Sequence, residues 1–473
     1  MKKFVTVLLS LLLAASVLAG CGGGNKFVNP GENYDANIDM TDDDYNASMT
    51  LKVGVTAEPI ERELIKEAAK GFQEIFPNVK IETDTISGVS YTQAVKQRHT
   101  AGNMPDLFFT SESESFEFIS NGIFLNLQPY VKAQLAQDPA WKDQFVESAL
   151  KLGQENFDGV QYFMPRSSDH VVIHLNMTEI RPALEDPDRP DKSVGVETIR
   201  NGWTWEEFLK VCANIRAYFD SHGKGAGYLI DHNFTWNPVM FSVLKSCGVS
   251  ICDEQGKWTV NTPEMQSVIT LVRELVEKRY IARYNGGGAN YEQGYGAMLI
   301  HSSSSIARYA DTLTELGKEY ELVTFPVING EQGVTGYGVP GYGIYAGIDA
   351  KKRDIAWQFL SYLCSPEGQD RLASKGMVTP SVRKDRQDPA TSKWAEGYTQ
   401  YNLAAATYAT ERDYSESFFV KFPSTQKNSL VAAVAKFMSD IMDYNVALTT
   451  PVKTASSCIS ALEKDLQKAA IPK

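Results

Sequence analysis

Leu51-Lys52-Val53-Gly54-Val55-Thr56 alternates apolar side chains with polar or small ones, the two-residue period of a strand with one buried face. Pro59 then opens a run whose apolar residues, Ile60, Leu64, Ile65, Ala68, Phe72 and Ile75, fall at helical spacing. Pro77-Asn78 stops that helix, and Val79-Lys80-Ile81-Glu82 reads as a second strand. A further helix is predicted from about Tyr91 to Ala101, ended by Gly102-Asn103. It precedes Asp106-Leu107-Phe108-Phe109-Thr110, a strand of the buried type. The β-α-β-α-β order predicts a largely parallel sheet with helices on both faces.

The same style recurs downstream. Thr204 and Glu207 form a capping box ahead of Phe208, Val211, Cys212, Ile215 and Phe219. Thr262-Pro263-Glu264 starts another helix, with proline at its first position and Val268, Leu271, Val272, Leu275 and Val276 on its apolar face. Lys352 to Leu363 reads as a helix; Ser365-Pro366 restarts one that Lys375-Gly376 ends. From about Ser429 the chain is helical, with an amphipathic end around Ile459 to Leu466. No internal repeat occurs, and the body offers no apolar run long enough to span a membrane.

Of the 473 residues, 43% are hydrophobic and 22% charged, ample material for sizeable cores. Lys and Arg total 46 against 58 Asp and Glu, a net charge of −12. That balance argues against broad nucleic-acid or anionic-membrane binding. Six cysteines rule out a disulfide-dense scaffold. Cys212, Cys247, Cys252, Cys364 and Cys458 lie in the body. Cys247 and Cys252 could bridge a tight loop; buried free thiols are the other reading.

Lys2 and Lys3 precede an apolar run from Phe4 to Leu18, broken only by Thr6, Ser10 and Ser16. This is a basic region plus a short apolar core, the pattern of an export signal. It ends in Leu18-Ala19-Gly20-Cys21, which resembles the lipobox of bacterial lipoproteins. The resemblance implies that residues 1–20 are removed and that Cys21 carries a lipid; an ordinary export signal with a coincidental cysteine is the alternative. Residues 21–49 are rich in Gly, Asn and Asp, and no period runs through them. They are expected to be a flexible tether. The chain is thus expected outside the cytoplasm, lipid-anchored to the outer face of the cell membrane.

Several further stretches resemble the extracellular solute-binding proteins of ABC importers, in particular the family that binds sugars and oligosaccharides. They are Thr100-Ala101-Gly102-Asn103-Met104-Pro105-Asp106-Leu107, Gly122-Ile123-Phe124-Leu125-Asn126-Leu127 and Tyr162-Phe163-Met164-Pro165. Trp203-Thr204-Trp205-Glu206-Glu207-Phe208 and Gly294-Tyr295-Gly296-Ala297-Met298 follow. The longest runs from Ala356-Trp357-Gln358-Phe359-Leu360 through Ser365-Pro366-Glu367-Gly368-Gln369 to Gly376-Met377-Val378-Thr379-Pro380-Ser381. The resemblance implies an α/β, two-lobed periplasmic-binding-protein-like fold of type II style. Each lobe would be a mostly parallel sheet flanked by helices, with the ligand cleft at the hinge. Lobe one would comprise 50–166 plus 323–375, and lobe two 167–322 plus 376–473. It further implies a monomer that needs no cofactor or metal and delivers a carbohydrate to ABC permease subunits. No permease-like span and no ATPase phosphate loop occur here, so those partners are expected on separate chains.

In open α/β sheets, ligands bind beyond the carboxyl ends of the strands. That rule selects Glu58, Ser111 with Glu112, and Arg166 with Asp169. Charged groups make strong hydrogen bonds to sugar hydroxyls. Equally, Glu58 and Glu112 read as solvated loop acids, and Arg166 with Asp169 as an interlobe ion pair. Sugars also present apolar faces that suit aromatic platforms. Asp231 and Trp236, in one polar loop, are both candidate ligand contacts, and Trp236 is the best stacking candidate. Tyr337 and Tyr342 lie in a Gly-rich stretch and are candidates for the site or for core packing. Where the resembled family often carries a bulky aromatic, this chain reads Leu299-Ile300-His301-Ser302-Ser303-Ser304-Ser305. His301 and Ser302 could there meet a polar or charged ligand substituent, or the serines could cap a helix. A peptide, polyamine or other charged solute is therefore kept as an alternative ligand. Phe418, Phe419 and Phe422 are a second possible platform, with core packing as the other reading.

Other signals point away from catalysis. Gly336-Tyr337-Gly338-Val339-Pro340-Gly341 matches GxGxxG, but a strand rather than a helix follows, and Pro340 lacks the N–H a phosphate would need. His170 and His174 flank Val171-Val172-Ile173, a strand rather than a metal-binding helix. No HExxH, GxSxG or phosphate-loop motif appears. No catalytic residue is expected; paired carboxylates leave a surface glycoside hydrolase as the remaining enzymatic alternative.

Overall fold

The computed structural model describes residues 34–470 apart from 89, 153, 155–158, 254–256, 283–288, 331–332, 375–377, 409–418, 420–421, 423 and 446–449. The expected leader, Cys21, Phe418 and the Lys375-Gly376 helix end lie outside the described residues. The strands that frame the site are, in chain order, β1 (Met49–Val55), β2 (Val79–Thr85), β3 (Leu107–Ser111), β4 (Phe163–Pro165), β5 (Asp169–Asn176), β6 (Ile230–Asp231), β7 (Met298–Ser302), β8 (Tyr320–Thr324), β9 (Tyr337–Gly338) and β10 (Pro340–Ile344).

The opening stretch folds as read. Pro59 occupies the first turn of the Pro59–Ile75 helix, where its missing N–H costs no intrahelical bond. The Tyr91–Thr100 helix is capped by Ser90, whose side chain accepts from the Gln93 N–H. The capping box is realised: Thr204 Oγ1 accepts from the Glu207 N–H at 3.1 Å, and the Glu207 carboxylate accepts from the Thr204 N–H at 2.8 Å.

The first sheet has the order β2-β1-β3-β10-β4, and the second β6-β7-β5-β8 with β9 also paired to β5. β1 runs parallel to β2 and β3, whereas β10 is antiparallel to β3 and β4. In the second sheet β6 and β7 are parallel, and β5 opposes β7, β8 and β9. Both sheets are therefore mixed. The cause is the crossing: β5 enters the second lobe, and β10 re-enters the first, at the edge where the other strands end.

Each sheet is covered on both faces. Leu64, Phe72, Phe359 and Leu360 pack one face of the first sheet, and Phe108, Phe118, Phe124 and Tyr162 the other. The second lobe packs Val211, Phe241, Val272 and Phe437 on one side. Ile306, Tyr309, Trp394 and Leu403 lie on the other. Burying each such side chain contributes about 1.5–3 kcal/mol, and that fixes which way the strand ends point.

Two expected boundaries move. β8 pairs with β5, and Val323, Phe325 and Ile328 sit in the second lobe's core, so residue 323 does not begin a return to the first lobe. Val382, expected in lobe two, packs in the first core, and its carbonyl accepts from the Val146 N–H at 2.8 Å. The tether expectation also fails for residues 34–48. Tyr34, Ile38 and Met40 pack against the first core, and the Arg353 guanidinium lies 4.3 Å from the centre of the Tyr34 ring. Thr41 caps a short helix, Asp42–Tyr45. These scattered apolar residues show no period because they pack on a preformed surface, not on one another.

Candidate ligand-binding site

The carboxyl ends of β1, β3 and β4 share one edge of the first sheet with the start of β10. The carboxyl ends of β6, β7 and β8 share one edge of the second with the start of β5. The chain passes from edge to edge at 166–169 and at 338–340, so the two edges meet at the crossing. This is where an open α/β sheet presents ligand-facing loops.

On the first edge, Glu58 is exposed at the end of β1 and stands at the N-cap of the Pro59–Ile75 helix without a side-chain cap bond. Ser111 ends β3 and Glu112 begins the next helix; the Glu112 side chain lies outside the described residues. Burial raises the carboxyl pKa of nearby Glu114, opposed by the Lys427 ammonium of the second lobe and by bonds from Thr92 and Ser111.

On the second edge, the Trp236 indole stacks on His301, ring centres 5.5 Å apart and planes 18° apart. Both rings are half-buried. Tyr309 meets His301 edge-on at 5.7 Å, and Ser305 Oγ lies 3.3 Å from its Nδ1. Burial lowers the His301 pKa, partly opposed by Asp169. Beneath it, buried His174 contacts the Tyr320 hydroxyl through Nδ1 at 2.8 Å and the Ser302 carbonyl through Nε2 at 3.2 Å. A carbonyl only accepts, so Nε2 carries the hydrogen and Nδ1 accepts from tyrosine.

Several expected ligand contacts are engaged inside the protein. Asp231 accepts from the Ala289 and Tyr291 N–H groups at 2.9 and 2.7 Å. Asp169 accepts from Ser302 Oγ at 2.6 Å, Ser303 Oγ at 2.8 Å and the Ser304 N–H at 3.0 Å. It therefore caps the serine turn, with all its partners in the second lobe rather than paired to Arg166. Arg166 instead bonds Glu61 at 2.5 Å, and the Tyr342 hydroxyl donates to the same carboxylate at 2.9 Å. Tyr337 and Tyr342 are buried in the first core, so neither ring offers a face to a ligand in this conformation. The Gly-rich context hid β9 and the first residues of β10. A Cβ on Gly341 would lie 2.3 Å from the Met164 carbonyl, so close strand approach, not loop freedom, requires that glycine.

Two residues were missed. Glu61 lies on the same helical stripe as Leu64, Ile65 and Ala68; an acid on an apolar stripe was the available signal. Trp258 is half-buried and stacks with Phe422, ring centres 6.5 Å apart, while Phe419 is fully buried. Its hairpin, closed by the Asp253 N–H to the Lys257 carbonyl at 2.9 Å, carried no clear signal. The edges thus offer exposed carboxylate on one side and aromatic faces on the other, chemistry suited to a polyhydroxylated ligand.

Residues 57–370 match the family of bacterial extracellular solute-binding proteins. The chain belongs to that family. The solute-binding protein is 21% identical over 415 residues to an arabinooligosaccharide-binding protein of Bacillus subtilis, covering 85% of each chain. Among solved structures it is similar to the sugar-binding protein MalE of Xanthomonas citri, with a TM-score of 0.70 at 15% identity over 89% of this chain and 97% of that one. It is also similar to an ABC substrate-binding protein of Listeria monocytogenes in complex with cycloalternan, with a TM-score of 0.67 at 16% identity over 89% and 99%. The solute-binding protein shares their two-lobed fold. Among its described residues, no helix is long and apolar enough to cross a membrane.

Proposed function

We propose that this solute-binding protein is a lipid-anchored, extracytoplasmic receptor that captures an oligosaccharide or substituted sugar between its lobes and delivers it to an ABC permease. The observation that carries the reading is the Trp236–His301 stack beside the carboxyl ends of the second sheet's strands. An aromatic face takes the apolar side of a sugar ring, and carboxylates take its hydroxyls. Relatives named for arabinooligosaccharide and cycloalternan support the carbohydrate class. The serine turn, capped by Asp169, removes the main reason to favour a charged solute. The protein acts by binding and release, as a monomer, without turnover or cofactor.

A thermal-shift panel of neutral oligosaccharides tests the ligand class. A sugar at a hundred times its dissociation constant adds about 2.7 kcal/mol to the folded state. If no sugar raises the midpoint, the carbohydrate assignment fails. Cys21→Ser is expected to release the protein from membranes; unchanged retention would sink the anchor.

A further inference from the structure

Before β1 the chain runs across the helices that cover one face of lobe one, and its contacts there are specific. The Tyr34 hydroxyl donates to the Asn126 carbonyl at 2.5 Å, and its ring lies against Tyr130, centres 5.6 Å apart. Three residues of the Ala350–Leu363 helix hold the segment that follows. Arg353 covers the Tyr34 ring and donates to the Asp35 carbonyl at 3.1 Å. The Asp354 carboxylate accepts from the Asn37 N–H at 3.3 Å. Gln358 donates to the Ile38 carbonyl at 3.2 Å. From the Gln128–Gln137 helix, Gln137 donates to the Asp39 carboxylate. The run ends beyond the Pro59–Ile75 helix, where Tyr45 stacks on Phe76 with ring centres 5.1 Å apart and Asn78 donates to the Asn46 carbonyl at 3.2 Å. All these partners belong to lobe one.

A chain terminus is well ordered only where something ties it down, and here two helices bond residues 35, 37, 38 and 39 in turn. The place of attachment follows from the sheet. β1 and β3 end at the cleft edge and β10 starts there, so Met49 and Ile344 lie at the opposite edge. The Leu125 N–H donates to the Ile344 carbonyl at 2.8 Å, which puts Asn126, and with it Tyr34, at that opposite edge. Tyr34 stands 13 residues after Cys21, whereas Met49 stands 28 after it. At about 3.5 Å per residue, those stretches reach at most about 45 and 100 Å.

We propose that residues 34–46 are a strap that docks on lobe one, more than halves the length of chain between the lipid-bearing Cys21 and the folded body, and brings it to the edge opposite the ligand cleft. The standoff from the membrane is then set by lobe one and 13 residues, and lobe two carries none of the attachment. A shorter span keeps the receptor at higher effective concentration beside a membrane partner. The inference goes beyond ligand capture; of the proposed function it rests only on the lipid anchor.

Two measurements test it, and the first needs neither lipid nor sugar. The mature chain carrying Cys21→Ser is digested with a broad-specificity protease, and the trimmed N-terminus is read by mass spectrometry. A docked strap stops trimming at or before Tyr34; trimming of the wild-type strap through Asn46 at the rate of an unstructured peptide would overturn the proposal. Tyr34→Ala with Ile38→Ser is expected to speed cleavage between 34 and 46 by about tenfold. Gln137→Ala with Gln358→Ala, which removes two strap bonds from the helix side, should do the same more weakly; no change in either variant would refute the docking. The second measurement is neutron reflectometry of the lipidated chain on a supported bilayer. Because chain dimensions grow as the square root of length, the Tyr34→Ala, Ile38→Ser variant should stand off by about half as much again as the wild type. Equal gaps would overturn the role in standoff. A wild-type chain that the bilayer does not retain would overturn the anchor, and the standoff with it, while the digestion still decides whether the strap is docked.

Discussion

His174 makes the second lobe sensitive to acid. Its ring is fully buried, with Nδ1 held by Tyr320 and Nε2 by the Ser302 carbonyl. Burial, reinforced by the nearby His301, lowers its pKa from 6.5 to about 3, with the Ser302 bond opposing. Between those values the unfolded chain binds a proton that the folded chain refuses. Stability therefore rises with pH across that window and is lost as pH falls below 6.5. One pH unit corresponds to about 1.4 kcal/mol, and because the unfolded ring is already half-protonated at pH 6.5, moving from there to 4.5 removes about 2.3 kcal/mol through this group. Other groups titrate in the same range; Glu114, whose carboxyl pKa is raised, contributes with the opposite sign. His174→Asn isolates the effect, because it deletes the titration while retaining an acceptor and a donor. Urea midpoints for both proteins at several values between pH 7 and 4.5 should converge as the solution is acidified, since only the wild type loses this term. Parallel profiles would refute the reasoning and mean that His174 takes up its proton in the folded state.

Three other outcomes follow from the same geometry. Glu61→Ala strands the Arg166 guanidinium and should cost about 3–5 kcal/mol by urea denaturation, whereas Glu61→Leu with Arg166→Met should cost less than that. Gly341→Ala drives a methyl toward the Met164 carbonyl, 2.3 Å away, and should lower stability by about 1–3 kcal/mol in a thermal melt. Trp236→Ala should weaken binding of the captured sugar by about three- to tenfold in equilibrium dialysis, the loss of one stacking face; unchanged affinity would remove Trp236 from the site.

The opening strand-helix units were legible because their signals are local. Proline at the start of Pro59–Ile75, the Thr204–Glu207 box and the apolar periods all act within a few residues. The site was less legible because its chemistry is assembled across long separations. Asp169 finds its serines 133 to 135 positions away, and Arg166 finds Glu61 across 105. The reading that selected Arg166 and Asp169 identified residues at the crossing but not their partners. Asp231 looked like a ligand group because backbone donors from a later loop carry no sequence signature. Tyr337 looked loop-borne because the glycines around it serve close strand packing. Trp236 follows the end of β6 and caps the Asn237–Ser246 helix, both of them local features.

The central claim is capture by closure of two lobes. Small-angle X-ray scattering of the mature chain, with and without a saturating sugar identified by the thermal panel, tests it most directly. Closure of the lobes should reduce the radius of gyration and leave each lobe's secondary structure unchanged. A sugar that binds tightly while the scattering curve stays the same would contradict the account.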